Sequence, residues 1–356
     1  MHGHSKKENK LKNWLHSYWK HGAVALAVLV GGASVYALTS PEGPNIENRS
    51  NDKTASTDEE PPEPTTVPAP LRGHEVEPEE ASRPITGVLI ENSPNARPQT
   101  GLDSADIVFE AVSEGGITRY LALYQYDIPQ TTGPIRSMRP YFVDWVMGFD
   151  APIAHVGGSP EALRMLSNRN AKDLDQFDHS GPYSRSGDRP APHNMYANMD
   201  QLRNLQNDLG FTDSNIKDFA WQDGEPAEEP NATSITVDFS SSQYQARFDY
   251  SRDSNSYSRY LAGQSHIDAG TNAQISVDNL IVAKMNASQD GQYTVLDNIG
   301  SGEALVFNNG NVTGATWRQS SYDDRFEILD EDGNTLPLNR GSSWISILPA
   351  DRTVSY

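Results

Sequence analysis

The chain has 356 residues, 48 acidic and 28 basic side chains, a formal net charge of −20, 36% hydrophobic residues and no cysteine. Without cysteine there is no disulfide framework, thiolate metal site, cysteine nucleophile or lipid-modified cysteine. The acidic balance argues against nucleic acid as a partner, because phosphate backbones are met by clustered Lys and Arg.

Residues 1–20 form a basic head: Lys6, Lys7, Lys10, Lys12 and Lys20 oppose Glu8 alone, and Leu11, Trp14, Leu15, Tyr18 and Trp19 recur at helical spacing. That pattern suits a short helix at lipid headgroups. Residues 21–40 hold no Asp, Glu, Lys or Arg, and Gly22 to Thr39 is almost wholly apolar. About 20 helical residues cross a hydrocarbon core of about 30 Å, so this stretch is predicted to be one transmembrane anchor. The positive-inside tendency puts the head in the cytoplasm and the carboxy-terminal ectodomain outside. A cleaved signal peptide is the alternative; the uncleaved anchor is favoured because no A-x-A precedes a cut. Residues 41–83 carry eight prolines, eleven acids and four bases, a net charge of −7, and are predicted to be a disordered spacer.

Residues 84–221 read as a mixed α/β domain. Ile85–Ile90, Ile107–Val112 and Ile117–Tyr126 are β-rich, the last two joined through Ser113-Glu114-Gly115-Gly116 as a hairpin. Phe142, Trp145, Val146 and Phe149 mark a helix with Ser137 as a plausible N-cap. Pro152–Val156 is a short strand, Ser159-Pro160 opens a helix to about Leu166, and another helix covers Met199–Leu209. Residues 222–233, rich in Pro and Glu, read as a second linker. Residues 234–356 then show nine short strands and the hairpin turns Asn309-Gly310 and Asp332-Gly333, an all-β domain of sandwich or barrel type. The fold class is α+β.

Within the first domain, an even-length Glu114-Gly115 turn places Glu110 opposite Arg119 as an ion pair on a half-buried face, architectural or functional. Arg136, Ser137 and Arg139 flank a helix start, where unpaired N–H groups favour an anion and the arginine fork fits carboxylate or phosphate. The competing reading pairs Arg136 and Arg139 with the protein's own acids. Gly158 and Ser159 open a second helix beside His155; Ser159 reads as a cap, since G-x-S-x-G is absent. His193 and Asn194 lie on a Gly- and Pro-rich loop that can carry binding groups. His155, His179 and His193 lack zinc-ligand spacing, so no metal and no cofactor is expected.

At these segments the chain resembles the YerB-like family of bacterial envelope proteins, mostly lipoproteins with a two-part domain of unknown function. The resemblance is carried by Pro84-Ile85-Thr86-Gly87-Val88 with Glu91-Asn92, Ala96-Arg97-Pro98-Gln99, Leu102 to Asp106, Glu114 to Arg119, Gly133 to Arg139, Gly157-Gly158-Ser159 and Pro192 to Tyr196. Thr316-Trp317-Arg318 and Gly341 to Ile345 carry it in the carboxy-terminal half. The chain lacks the family's lipobox cysteine, and an apolar span stands in its place. The resemblance implies an extracytoplasmic protein near the cell wall and supplies no reaction. Two function classes follow: a binding module for an anionic wall glycan, peptide or wall-synthesis protein, or a hydrolase or transferase using a carboxylate/His pair such as Glu110 with His193 or Asp144 with His155. Absence of a nucleophile or metal motif favours binding. Intact cells treated with protease are expected to lose the ectodomain while the first 40 residues survive; full protection would overturn this topology.

Overall fold

Runs of β-branched and aromatic residues fit a pleated, covered surface, and here they form strands buried at every position. A computed structural model of the chain describes residues 66–217 and 219–356. The predicted head, the span at 21–40 and the spacer up to residue 65 lie outside the described residues, among which no helix is long and apolar enough to cross a membrane.

The labelled elements, in chain order, are β1 (Thr86–Glu91), β2 (Ile107–Val112), β3 (Thr118–Tyr124), α1 (Pro140–Gly148), β4 (Ile153–His155), α2 (Pro160–Asn168), β5 (Asp173–Asp175), β6 (Met195–Asn198), α3 (Met199–Asp208), β7 (Ser234–Asp238), β8 (Gln245–Ser251), β9 (Ser256–Leu261), β10 (Asn279–Met285), β11 (Gly300–Asn308), β12 (Asn311–Gln319), β13 (Glu327–Leu329) and β14 (Ser343–Pro349). Ten of them form one sheet in the order β13-β12-β11-β10-β14-β2-β3-β1-β4-β5. Strands β10, β14, β2, β1, β4 and β5 run in the same direction, with β3 antiparallel between β2 and β1. Their carboxyl ends therefore share one edge.

Each face of the sheet carries its own core. On one, Val108, Tyr120 and Trp344 meet Val237, Phe248 and Tyr257 of a second sheet built on β7, β8 and β9. On the other, Phe109, Leu121 and Ile345 meet Phe142, Trp145 and Leu166 of α1 and α2, with Phe109 stacked on Trp145 at 5.2 Å between centroids. Each such side chain contributes roughly 1.5–3 kcal/mol of burial free energy.

The structure departs from the sequence-based boundaries in two places. Order begins by residue 66 rather than 84: Val67–Pro68 pairs with Glu75–Val76, Leu71 is buried, and the Arg72 Nε lies 2.6 Å from Asp106, a buried carboxylate that needs a counterion. The tract 222–233 does not separate one folding unit from another. Trp221–Gln222 pairs with Leu338–Asn339, Ala227 N–H donates to Asn309 O, and Ala232 N–H donates to Gly310 O. Strands from both sides of the tract interleave in the ten-stranded sheet, because β14 lies between β10 and β2.

Arg259 on β9 crosses the interlayer to Glu110 on β2 at 2.8 Å, both side chains fully buried. Glu110 also accepts from Trp344 Nε1 at 3.1 Å and from Thr118 Oγ1 at 2.9 Å, and the guanidinium lies 4.4 Å from the Trp344 ring centroid. Removing one partner strands a buried charge, a loss of about 3–5 kcal/mol. Arg259→Met should lower the unfolding free energy by that amount in urea titration, and adding Glu110→Gln should restore part of it; equal and additive losses would contradict the pairing.

Candidate functional site

The apolar run of β1 ends in an acid. Glu91, at the carboxyl edge of the sheet, is only 2% exposed. Chain segment 133–136 runs beside it: Glu91 N–H donates to Pro134 O at 2.8 Å and Arg136 N–H to Leu89 O at 2.9 Å. β6 flanks that segment in turn, through Ile135 N–H to Met195 O at 2.6 Å. The loop before β6 is folded back by Arg189, whose guanidinium donates to the carbonyls of Ala96 and Pro98. These three segments converge on one carboxylate.

Glu91 Oε1 accepts from Ser93 Oγ at 2.7 Å, meets His193 Nδ1 at 2.8 Å and lies 3.3 Å from Arg136 Nε; Oε2 is buried without a partner among the described residues. With Nδ1 turned to the carboxylate, His193 presents Nε2 outward. That nitrogen and the terminal nitrogens of Arg136 have no partner among the described residues and are not sealed off; the side chains are 18% and 26% exposed. A buried acid thus holds the inner nitrogen of His193 by a hydrogen bond and lies in ion-pair contact with Arg136 Nε, and the outer nitrogens of both side chains stay open. Ser93 Oγ is 3.2 Å from the same Nδ1. A nucleophilic serine belongs at the nitrogen opposite the carboxylate, so Ser93, Glu91 and His193 do not make a triad.

Behind the site runs a polar chain. Gln99 Nε2 donates to Glu91 O at 2.9 Å and to Asn92 Oδ1 at 3.0 Å, and Arg97 Nε donates to the same Oδ1 at 3.0 Å. Asn92 Nδ2 reaches Thr118 Oγ1 at 2.6 Å, which in turn donates to Glu110. On the other branch His266 Nε2–H donates to Gln99 Oε1 at 2.9 Å, while its Nδ1 accepts from Arg259. Burial pushes His266 well below the usual histidine range, and the charges of Arg259 and Arg97 push it the same way, so the ring is the neutral Nε2–H tautomer.

The remaining expected residues are committed elsewhere. Arg139, not Ser137, is the N-cap of α1, since Pro140 opens the helix. Its guanidinium grips Glu114 through Nη2 at 2.8 Å and Nε at 3.0 Å, so for Arg139 the internal-acid reading holds. The Ser137 carbonyl accepts from Arg119. Arg119 pairs with Glu114 at 2.8 Å and not with Glu110. The correction follows from hairpin parity: Val112 pairs with Thr118 and Glu110 with Tyr120, because Ser113 N–H closes a five-residue loop onto Ile117 O. One residue of slip puts Glu110 and Arg119 on opposite faces.

His155 is fully buried, with Nε2 2.8 Å from Asp173 and Nδ1 2.8 Å from Gly157 O. Burial disfavours its charge, but the Asp173 hydrogen bond and the Asp173 and Asp175 charges outweigh that and raise its pKa. Gly157, at φ +58°, gives its N–H to Asp175, and Ser159 gives its N–H to Met138 O. Gly158 is spaceless rather than ligand-facing: a Cβ there would lie 3.0 Å from Met138 Cβ. Ser159 Oγ caps α2 by accepting from Ala162 N–H at 3.2 Å. At these two helix starts the N–H groups of Gly157, Met138 and Ser159 are thus taken by Asp175, Gly157 O and Met138 O. Asn194 holds its loop, accepting from Arg185 and donating to Ser186 O, each at 2.8 Å. Neither proposed acid/base pair forms: Glu110 is held by Arg259, and Asp144 by Arg169 and Asn298. Sequence reasoning misses Glu91, Ser93 and Arg189 as site residues; the available signal for Glu91 is an acid closing an otherwise apolar strand.

Two family models match the chain, the N-terminal domain of "Protein of unknown function (DUF3048)" over residues 71–212 and its C-terminal domain over residues 235–345. The chain is 32% identical over 290 residues to the Bacillus subtilis (strain 168) protein "Putative lipoprotein YerB", covering 79% of this chain and 86% of that one. The crystal structure of the Bacillus subtilis YerB protein is similar with a TM-score of 0.74 at 30% identity, over 82% of this chain and 100% of that chain.

Glu114 offers a pH test. Burial raises its pKa, but Arg119, the Ser113 hydroxyl and Arg139 together hold it down at about 2. A depressed carboxyl adds stability that is complete above its unfolded pKa of about 4.3 and is lost as pH falls toward 2. Glu114→Gln should cost about 2 kcal/mol at pH 7 and flatten the acid limb of thermal denaturation between about pH 4 and 2; an unchanged limb would refute the assignment.

Proposed function

The chain belongs to the DUF3048 family, and we propose that it is a membrane-anchored extracytoplasmic envelope protein that binds an anionic wall-derived group at Arg136 and His193. Support for the location comes from the lipoprotein named among its relatives and from the basic head and apolar stretch of residues 1–40. The observation that carries the binding reading is the double contact on Glu91: one buried carboxylate lies behind both side chains and leaves the terminal N–H groups of Arg136 and the Nε2 of His193 unpaired. Preorganised donors of this kind lose little entropy when an anion arrives. The carboxylate of a wall peptide or a phosphate on a wall glycan fits the arginine fork. Residues 84–356 carry a net charge of −17, so an anion is repelled from unspecialised surface and favoured only where the sign reverses locally.

Arg136→Ala should weaken binding of a carboxylate-bearing muropeptide roughly tenfold or more, and Arg136→Lys should not restore it, since the fork is lost. Calorimetric titration and melting temperature measured on the same variants separate the alternatives. Unchanged affinity with a lowered melting temperature would show that Arg136 only neutralises Glu91.

A further inference from the structure

A second concavity, of about 310 Å³, opens between the starts of α1 and α2 and the strand Tyr293–Leu296. It takes residues from the regions matched by both family models, and neither Arg136 nor His193 lines it. Its apolar walls include Pro140, Pro160, Val295 and Tyr293, while Tyr141, which also borders it, is only 1% exposed; Tyr293 is held in place by the Arg139 guanidinium 4.9 Å from its ring centroid. One inner residue is Asn298, 7% exposed. Its Nδ2 donates to Asp144 Oδ2 at 2.7 Å, which fixes the amide's orientation and leaves Oδ1 as an acceptor with no partner among the described residues. Glu161 and Arg164, three residues apart on α2, both line the cleft, and neither has a partner among the described residues.

Aromatic and proline faces beside fixed acceptors and one donor match a molecule with an apolar face and a rim of hydroxyls. Asp290 and Glu161 against Arg164 leave no surplus of positive charge, so an anion is not the fitting occupant. We infer that this cleft binds a neutral sugar ring, with one face on the tyrosine and proline walls, a hydroxyl donated to Asn298 Oδ1, and the ring edge held by Glu161 and Arg164. It is separate from the Glu91-anchored site and stands whether or not that site binds an anion.

The full chain should bind the uncharged β-1,4-linked disaccharide of N-acetylglucosamine saturably, as read by calorimetry and saturation-transfer NMR. Tyr293→Ala and Arg164→Ala should each weaken it about fivefold or more, the fold-change expected when a stacking or hydrogen-bonding partner is removed. Arg164 is exposed, so its variant tests the cleft even if Tyr293→Ala disturbs folding, which circular dichroism reports. Acetate and phosphate should not displace the sugar. Absence of saturation at millimolar sugar, full affinity in Arg164→Ala, or displacement by acetate would each overturn the assignment.

Discussion

The Glu110–Arg259 pair sits where the two sheets face each other, and its requirements propagate through the molecule. Two charges removed from water must be paired and have their remaining hydrogen-bonding capacity filled. Trp344 and Thr118 satisfy the carboxylate; His266, kept neutral by its burial and by the charges of Arg259 and Arg97, accepts from the guanidinium. The two branches of this network then meet at Asn92 and Gln99, and Gln99 holds the Glu91 carbonyl. The backbone that carries the candidate site is thus oriented by a charge pair on the opposite face of the sheet, whose arginine comes from a strand about 150 residues beyond its glutamate.

Two neighbouring arginines illustrate how burial assigns roles. Arg139 donates to Glu114 through Nε and Nη2 and to Met138 O through Nη1, with a tyrosine against its plane. Arg136 has one inner contact, to Glu91, and open terminal nitrogens. Over three residues, the acid each guanidinium reaches decides whether its outer nitrogens are taken or open.

Much of the local structure is legible in the chain: most strand cores, the Ser159-Pro160 helix start and the positions of the tight turns follow from periodicity, capping chemistry and β-propensity. What fails depends on information that periodicity does not hold. Whether the loop after Val112 has four or five residues decides whether Arg119 shares the face of Glu110, and both loops suit Glu114-Gly115-Gly116. Arg259 is invisible as a partner because it lies far along the chain. The 222–233 tract has the composition of a linker, yet its backbone N–H groups are donated to the β11–β12 turn. Of the site, Arg136 and His193 follow from residue chemistry, whereas Glu91, which joins them, is hidden by the apolar run before it.

The position of β14 has a consequence for how such a chain matures. Residues 343–349 form the strand between β10 and β2, so before they arrive the large sheet exists only as two pieces with apolar, unpaired edges. Pairings between strands more than 200 residues apart are slow to form, because loop-closure entropy is spent before contacts repay it. A nascent polypeptide of this topology cannot close the large sheet until residues 343–349 have emerged. During that interval the edges of β2 and β10 are unpaired, the condition under which strand edges aggregate.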